Sequence, residues 1–86
     1  MRKTEVFRIL KHLGVVPVVR ADEADEVFPV VEALMDGDLP VAEITLTVPG
    51  AVRAIRACRE RFGDRLTLGA GSVTDPRLCT EVIEAG

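Results

Sequence analysis

Three short apolar runs, each followed by a segment of helical period, predict an α/β fold of parallel strands joined by right-handed helical crossovers. The runs start at Val15, Val41 and Leu66, a step of about 25 residues with short connections. An amphipathic segment precedes the first run. Two architectures accommodate this pattern: a doubly wound open sheet and an eight-stranded (β/α)8 barrel. Eight such steps need about 200 residues, so on the barrel reading the 86 residues are a leading helix and the opening three β/α units.

Val6, Ile9, Leu10 and Leu13 recur at helical spacing over Glu5–Leu13, and Gly14 marks the stop. Val15–Val19 is short and β-branched, with Pro17 awkward for a central strand because it cannot donate to the ladder. Asp22 is the expected cap of a helix running through Asp36, with Val27, Val31, Leu34 and Met35 as its apolar stripe and Gly37 just past its end. The second strand is expected over Val41–Thr47. Pro49 then suits the first turn of a helix whose inner face is Ala51, Ile55, Cys58 and Phe62, closed by Gly63. The third strand is Leu66–Gly69, leading into the loop Ala70-Gly71-Ser72. Asp75-Pro76 reads as a cap and first helical residue, with Leu78, Val82 and Ile83 supplying the last stripe.

Composition narrows the function classes. No apolar run approaches the ~20 residues of a membrane span, and Met1–Glu5 does not open a signal peptide. A cytoplasmic address and no membrane partner are the expectations. Net charge is −3, and acids interrupt the basic stripe of Arg53, Arg56, Arg59 and Arg61, which argues against a nucleic-acid partner. Cys58 and Cys79 have no further ligand at metal spacing and are expected to be small buried hydrophobes; no metal and no cofactor are expected. His12 is expected to be structural. Gly86 falls where a helix cap would lead into a fourth strand. Residues 1–86 are accordingly expected to be the N-terminal portion of one barrel domain, the remainder absent.

The chemistry concentrates at Glu43, an ionisable group inside an otherwise apolar strand. A carboxylate there must be paired, hydrogen-bonded or kept near water. Strand alternation puts Glu43, Thr45 and Thr47 on one face, and Val16, Val18 and Arg20 on the matching face of the first strand. Arg20 is a fixed cation suited to a carboxylate or phosphate. Thr47 and Ser72 offer hydroxyls, and the backbone around Gly71 offers N–H groups to an anion. The pattern alone leaves two readings: a proton-shuttling carboxylate in an anion-binding pocket, or an internal Arg20–Glu43 ion pair. Gly69-Ala70-Gly71 does not continue into a dinucleotide fingerprint, because the third glycine would fall at Thr74.

At Val15-Val16-Pro17-Val18-Val19-Arg20-Ala21, Glu43-Ile44-Thr45-Leu46-Thr47-Val48-Pro49, Gly69-Ala70-Gly71-Ser72-Val73 and Glu84-Ala85-Gly86, the chain resembles the N-terminal part of the 2-keto-3-deoxy-6-phosphogluconate / 4-hydroxy-2-oxoglutarate aldolase family. The resemblance runs from Val15 to the last residue. It implies a (β/α)8 barrel, a homotrimer when full-length, and a metal-independent class I lyase. Such an enzyme cleaves a small anionic keto acid to pyruvate and an aldehyde through a lysine Schiff base. It further implies Glu43 as general acid/base, with Arg20 and Ser72 binding substrate; Thr47 and Gly71 are expected to join them from the strand-end pattern above. Ser72 stands where the family usually has threonine, and Thr47 where one branch has arginine. The chain's only lysines, Lys3 and Lys11, lie in or before the leading helix, so the Schiff-base lysine is expected on a later strand and these 86 residues alone are expected to be inactive. Alternatives from other classes are a non-catalytic α/β binding or assembly module with a Gly-rich anion-binding strand end, and a barrel isomerase using Glu43 as carbon base.

Overall fold

The computed structural model describes Met1–Gly86. Helix α1 (Lys3–Leu13) leads, followed by β1 (Val18–Val19), α2 (Val27–Asp36), β2 (Val41–Thr45), α3 (Ala51–Phe62), β3 (Thr67–Gly71) and α4 (Pro76–Ala85). The strands form one parallel sheet in the order β1-β2-β3, as the alternating pattern predicts. The register sets Val18 beside Glu43 and Glu43 beside Gly69.

The core lies between this sheet and the helices on one face. Ala42 and Ile44 of β2 pack there with Val27 and Val31 of α2, and with Ala51, Ile55, Cys58 and Phe62 of α3. Those helical residues are the predicted stripes, and Phe28 stacks on Phe62 with ring centroids 5.5 Å apart. The opposite sheet face carries Val41, Glu43 and Thr45, in register with Thr67, Gly69 and Gly71. Helix α1 crosses the lower part of that face and buries none of its residues fully, although Val6 and Leu10 line the cavity there. Val16 and Val18 remain about half exposed, at 43% and 51%. This face is therefore largely uncovered.

Several boundaries differ from the sequence expectation, each for a local reason. The first strand shrinks to Val18–Val19 because Pro17 has no N–H to give; its carbonyl instead accepts the Glu43 N–H at 2.9 Å. Asp22 does not cap α2. Glu23 and Glu26 form a reciprocal capping box around a 3-10 turn at Ala24–Glu26, the Glu23 N–H donating to Glu26 Oε1 at 3.1 Å. The helix proper then starts at Val27, which leaves Pro29 in its first turn, where a missing N–H costs nothing. Gly37 ends α2 with an ordinary φ of −88°, and the left-handed position passes to Asp38 at φ 60°.

Strand β2 stops at Thr45 rather than Thr47, and Pro49 lies ahead of α3 rather than inside it. Here the Val48 N–H donates to the Thr45 carbonyl and the Ala51 N–H to the Val48 carbonyl, both at 3.1 Å. Gly50, at φ 75°, makes the turn into α3 and sits against Ala24, whose Cβ would be 3.1 Å from an added side chain. Strand β3 runs on through Gly71, two residues past its expected end. Cys58 is fully buried, as expected, whereas Cys79 is exposed. Ile83, expected inside, is 72% exposed on α4.

Candidate active site

The site grows from the C-terminal halves of β2 and β3. Glu43 is half-buried and lines a cavity of about 300 Å³ toward the N-terminal half of the sheet, with Val6 and Leu10 of α1, Val16, Val41, Thr67 and Gly69; Arg20, Thr47, Gly71 and Ser72 do not line it. Its side chain leans across the sheet toward the end of β3. A Cβ placed on Gly71 would overlap the Glu43 carboxylate and lie 2.7 Å from its Cδ. At Gly69 an added Cβ would meet nothing within 4 Å. Gly71 is thus the position whose missing side chain makes room for the carboxylate, and Gly69 keeps the space in front of β3 open.

No hydrogen bond or ion pair engages the Glu43 side chain; the one salt bridge in the structure is Arg77–Glu81 on α4, at 2.9 Å. Arg20 follows β1 directly, is exposed, and does not pair with Glu43. The internal ion-pair reading of the strand therefore has no support. What remains is a half-buried carboxylate, free of a fixed partner, in a partly apolar cavity. Such a group can take up and release a proton without first breaking a bond to its neighbours.

Two hydroxyls stand beyond it. Thr45 is 1% exposed, and its Oγ1 lies 2.8 Å from Thr47 Oγ1 in the exposed turn after β2. A buried hydroxyl has to find a partner, and Thr47 is the one Thr45 has. The arrangement in which Thr45 donates leaves the Thr47 hydroxyl hydrogen available to an incoming acceptor. Thr45 lies between Glu43 and Thr47 on the same strand face, and the alternation pattern held the signal that it belongs with them. Ser72 follows β3 in the left-handed region at φ 59°, a conformation that costs a residue with a Cβ about 1 kcal/mol or more. It is exposed at the strand end, next to Gly71. Arg20, Thr47 and Ser72 thus all directly follow, or lie just beyond, the C-terminal ends of their strands, with Glu43 and Gly71 on the strands beneath them. Lys3 and Lys11 lie on α1, which packs near the opposite, N-terminal strand ends at Pro40 and Thr67.

Parallel β/α units with polar residues gathered at the C-terminal strand ends match the opening units of a (β/α)8 barrel, a fold that carries its sites at that end of the strands. The comparisons with known proteins then fix the family. The sequence profile described as KDPG and KHG aldolase matches residues 6–86, and the chain belongs to that family. It is 38% identical over 84 residues to the 2-dehydro-3-deoxy-phosphogluconate aldolase of Dickeya dadantii, a match covering 98% of this chain and 39% of that protein. The KHG/KDPG aldolase of Escherichia coli K12 matches with the same identity and coverage. Among solved structures, the 2-keto-3-deoxy-6-phosphogluconate aldolase of Zymomonas mobilis ZM4 with 3-phosphoglycerate superposes with a TM-score of 0.82 at 29% identity. That match covers 99% of this chain and 40% of that one. The chain thus spans 39% of the length of the first two relatives.

Proposed function

We propose that these residues supply the acid/base half of a class I aldolase site, as the N-terminal portion of a single barrel domain. The observation that carries this reading is the Glu43 carboxylate: half-buried, unpartnered, and accommodated by Gly71 at the end of β3. In the complete site a lysine from a later strand attacks the keto carbon of a small anionic keto acid. Glu43 donates a proton to the departing hydroxyl as the carbinolamine collapses to the iminium. It then accepts the proton of the substrate's aldol hydroxyl as the C–C bond breaks and electrons flow to the iminium nitrogen. Arg20 answers the substrate's negative charge. The hydroxyls of Thr47 and Ser72, with the backbone at Gly71, receive the pyruvyl carboxylate. The Thr45–Thr47 hydrogen bond supports this role, since a hydroxyl that already accepts is a better donor.

The substrate class is a 2-keto-3-deoxy-6-phospho sugar acid or 4-hydroxy-2-oxoglutarate, and the products are pyruvate and an aldehyde. The full-length protein acts as a cytoplasmic homotrimer on this reading; no helix here is long and apolar enough to cross a membrane. The experiment supplies what this chain lacks. The chain is co-refolded with the C-terminal remainder of a relative, such as the Escherichia coli KHG/KDPG aldolase, and pyruvate release from each substrate is followed. Release by the assembled pair, and by neither piece alone, is the expected result. An assembled pair that releases no pyruvate from either substrate refutes the proposal.

A further inference from the structure

The bases of α1 find no carboxylate in the fold. Residues 1–13 carry Arg2, Lys3, Arg8 and Lys11 against Glu5 alone, so this stretch is +3 in a chain of net charge −3. The only ion pair lies elsewhere, on α4. Two residues of α1, Arg8 and His12, line a groove of about 410 Å³ between that helix and the N-terminal end of β3. Arg65 lines it from the other side, and Ile9 and Leu13 supply apolar wall.

Arg65 is held in place. Its Nε donates to the Phe62 carbonyl at 3.2 Å and its Nη2 to the Arg61 carbonyl at 3.3 Å, while its guanidinium lies 5.8 Å from the Phe62 ring centroid. Its Nη1 has no partner within the chain. Arg8 has no hydrogen-bond partner at all, and it also borders a second hollow of about 550 Å³ lined by Lys3, Phe7 and Lys11. One carboxylate, Asp64, shares the first groove and acts against an anion there. It is outnumbered by the two guanidiniums.

We propose that this groove binds a small polyvalent phosphate anion, such as the phosphate end of a phosphorylated metabolite, at the end of the sheet opposite Glu43's strand ends. Arg8 and Arg65 border one hollow from two separate elements, and a guanidinium suits phosphate oxygens in geometry as well as charge. The groove's size falls in the range of small-ligand sites. The remaining residues, at −6, repel a long polyanion, which decides for a small ligand over a nucleic acid. The proposal is independent of the aldolase reading, since it uses none of the residues assigned there.

The test titrates the 86-residue chain with sodium pyrophosphate at constant ionic strength and follows the NMR resonances of His12, the sole histidine. The expected result is a saturable movement of the His12 ring signals, weakened about tenfold by Arg8→Gln, the loss of one charge-assisted contact. Arg2→Gln, outside the groove, changes the affinity less than about twofold. Arg65 also packs on Phe62, so Arg8→Gln on the helix surface is the deciding variant, with circular dichroism confirming that it folds. Movement that never saturates, or that sodium chloride reproduces, overturns the proposal. So does an Arg8→Gln chain that binds as tightly as the parent.

Discussion

The Gly71–Glu43 contact makes two neighbouring glycines unequal. A methyl group at Gly71 meets the far end of a flexible side chain, so the fold yields by moving the carboxylate. Gly71→Ala should change unfolding free energy by only about 1 kcal/mol, while displacing the Glu43 side-chain resonances. Gly69→Ala meets no atom and should leave those resonances in place; urea unfolding with NMR separates the two. The cysteines are unequal as well. Burial pushes the Cys58 thiol above its ordinary value of 9.0, with the Arg59 charge pulling it part of the way back. The folded chain therefore holds that proton more tightly than the unfolded chain. Its contribution is whole below pH 9.0 and is lost as pH rises through the folded value. Thiol titration should find Cys79 reacting at once and Cys58 only on unfolding, and Cys58→Ala should flatten the alkaline loss of stability. Glu43 stood out in the sequence because a charge in an apolar strand demands an explanation. The exposure of Cys79 did not, because the stripe of α4 fits a buried position equally well until the packing is known.

At the level of elements, capping and breaking residues decided most boundaries. Asp75 caps α4 by accepting the Leu78 N–H at 2.8 Å, with Pro76 as the first helical residue, as the Asp-Pro pair predicts. Asp75→Ala should cost about 1 kcal/mol in urea unfolding. Arg59 does what no local pattern announces. Its guanidinium donates to the carbonyls of Gly63, Leu66 and Gly86, the last at 2.7 and 2.9 Å, tying the ends of α3 and α4 to the start of β3. Arg59→Ala should destabilise by about 2 kcal/mol or more, and Arg59→Lys should restore only part of that loss because an ammonium cannot span the same acceptors. The sequence places this arginine on a polar helical stripe, which reads as solvated. The carbonyls it serves lie up to 27 residues away, a distance that helical periodicity does not register. The shortened β1 is the opposite case: Pro17 gave warning, and its missing N–H is the reason.

For the whole molecule, three parallel strands pack helices on one face and leave much of the other uncovered. The order and direction of the three strands were legible because a 25-residue step of alternating elements admits few topologies. The choice between barrel and open sheet was not legible from periodicity, since both begin alike; the ordered motifs along the chain and the family match made it. With its only lysines on α1 at the far end of the strands, the chain alone should form no borohydride-stable adduct with pyruvate, by mass spectrometry. The central claim is that Glu43 moves the protons in a site whose amine comes from elsewhere. The most direct measurement is deuterium exchange into the methyl group of pyruvate by the chain paired with a relative's C-terminal remainder. The account predicts exchange by the parent pair and a fall of about a hundredfold or more with Glu43→Gln, borohydride trapping showing that the lysine is still present. Exchange at the parent rate with Glu43→Gln would contradict it.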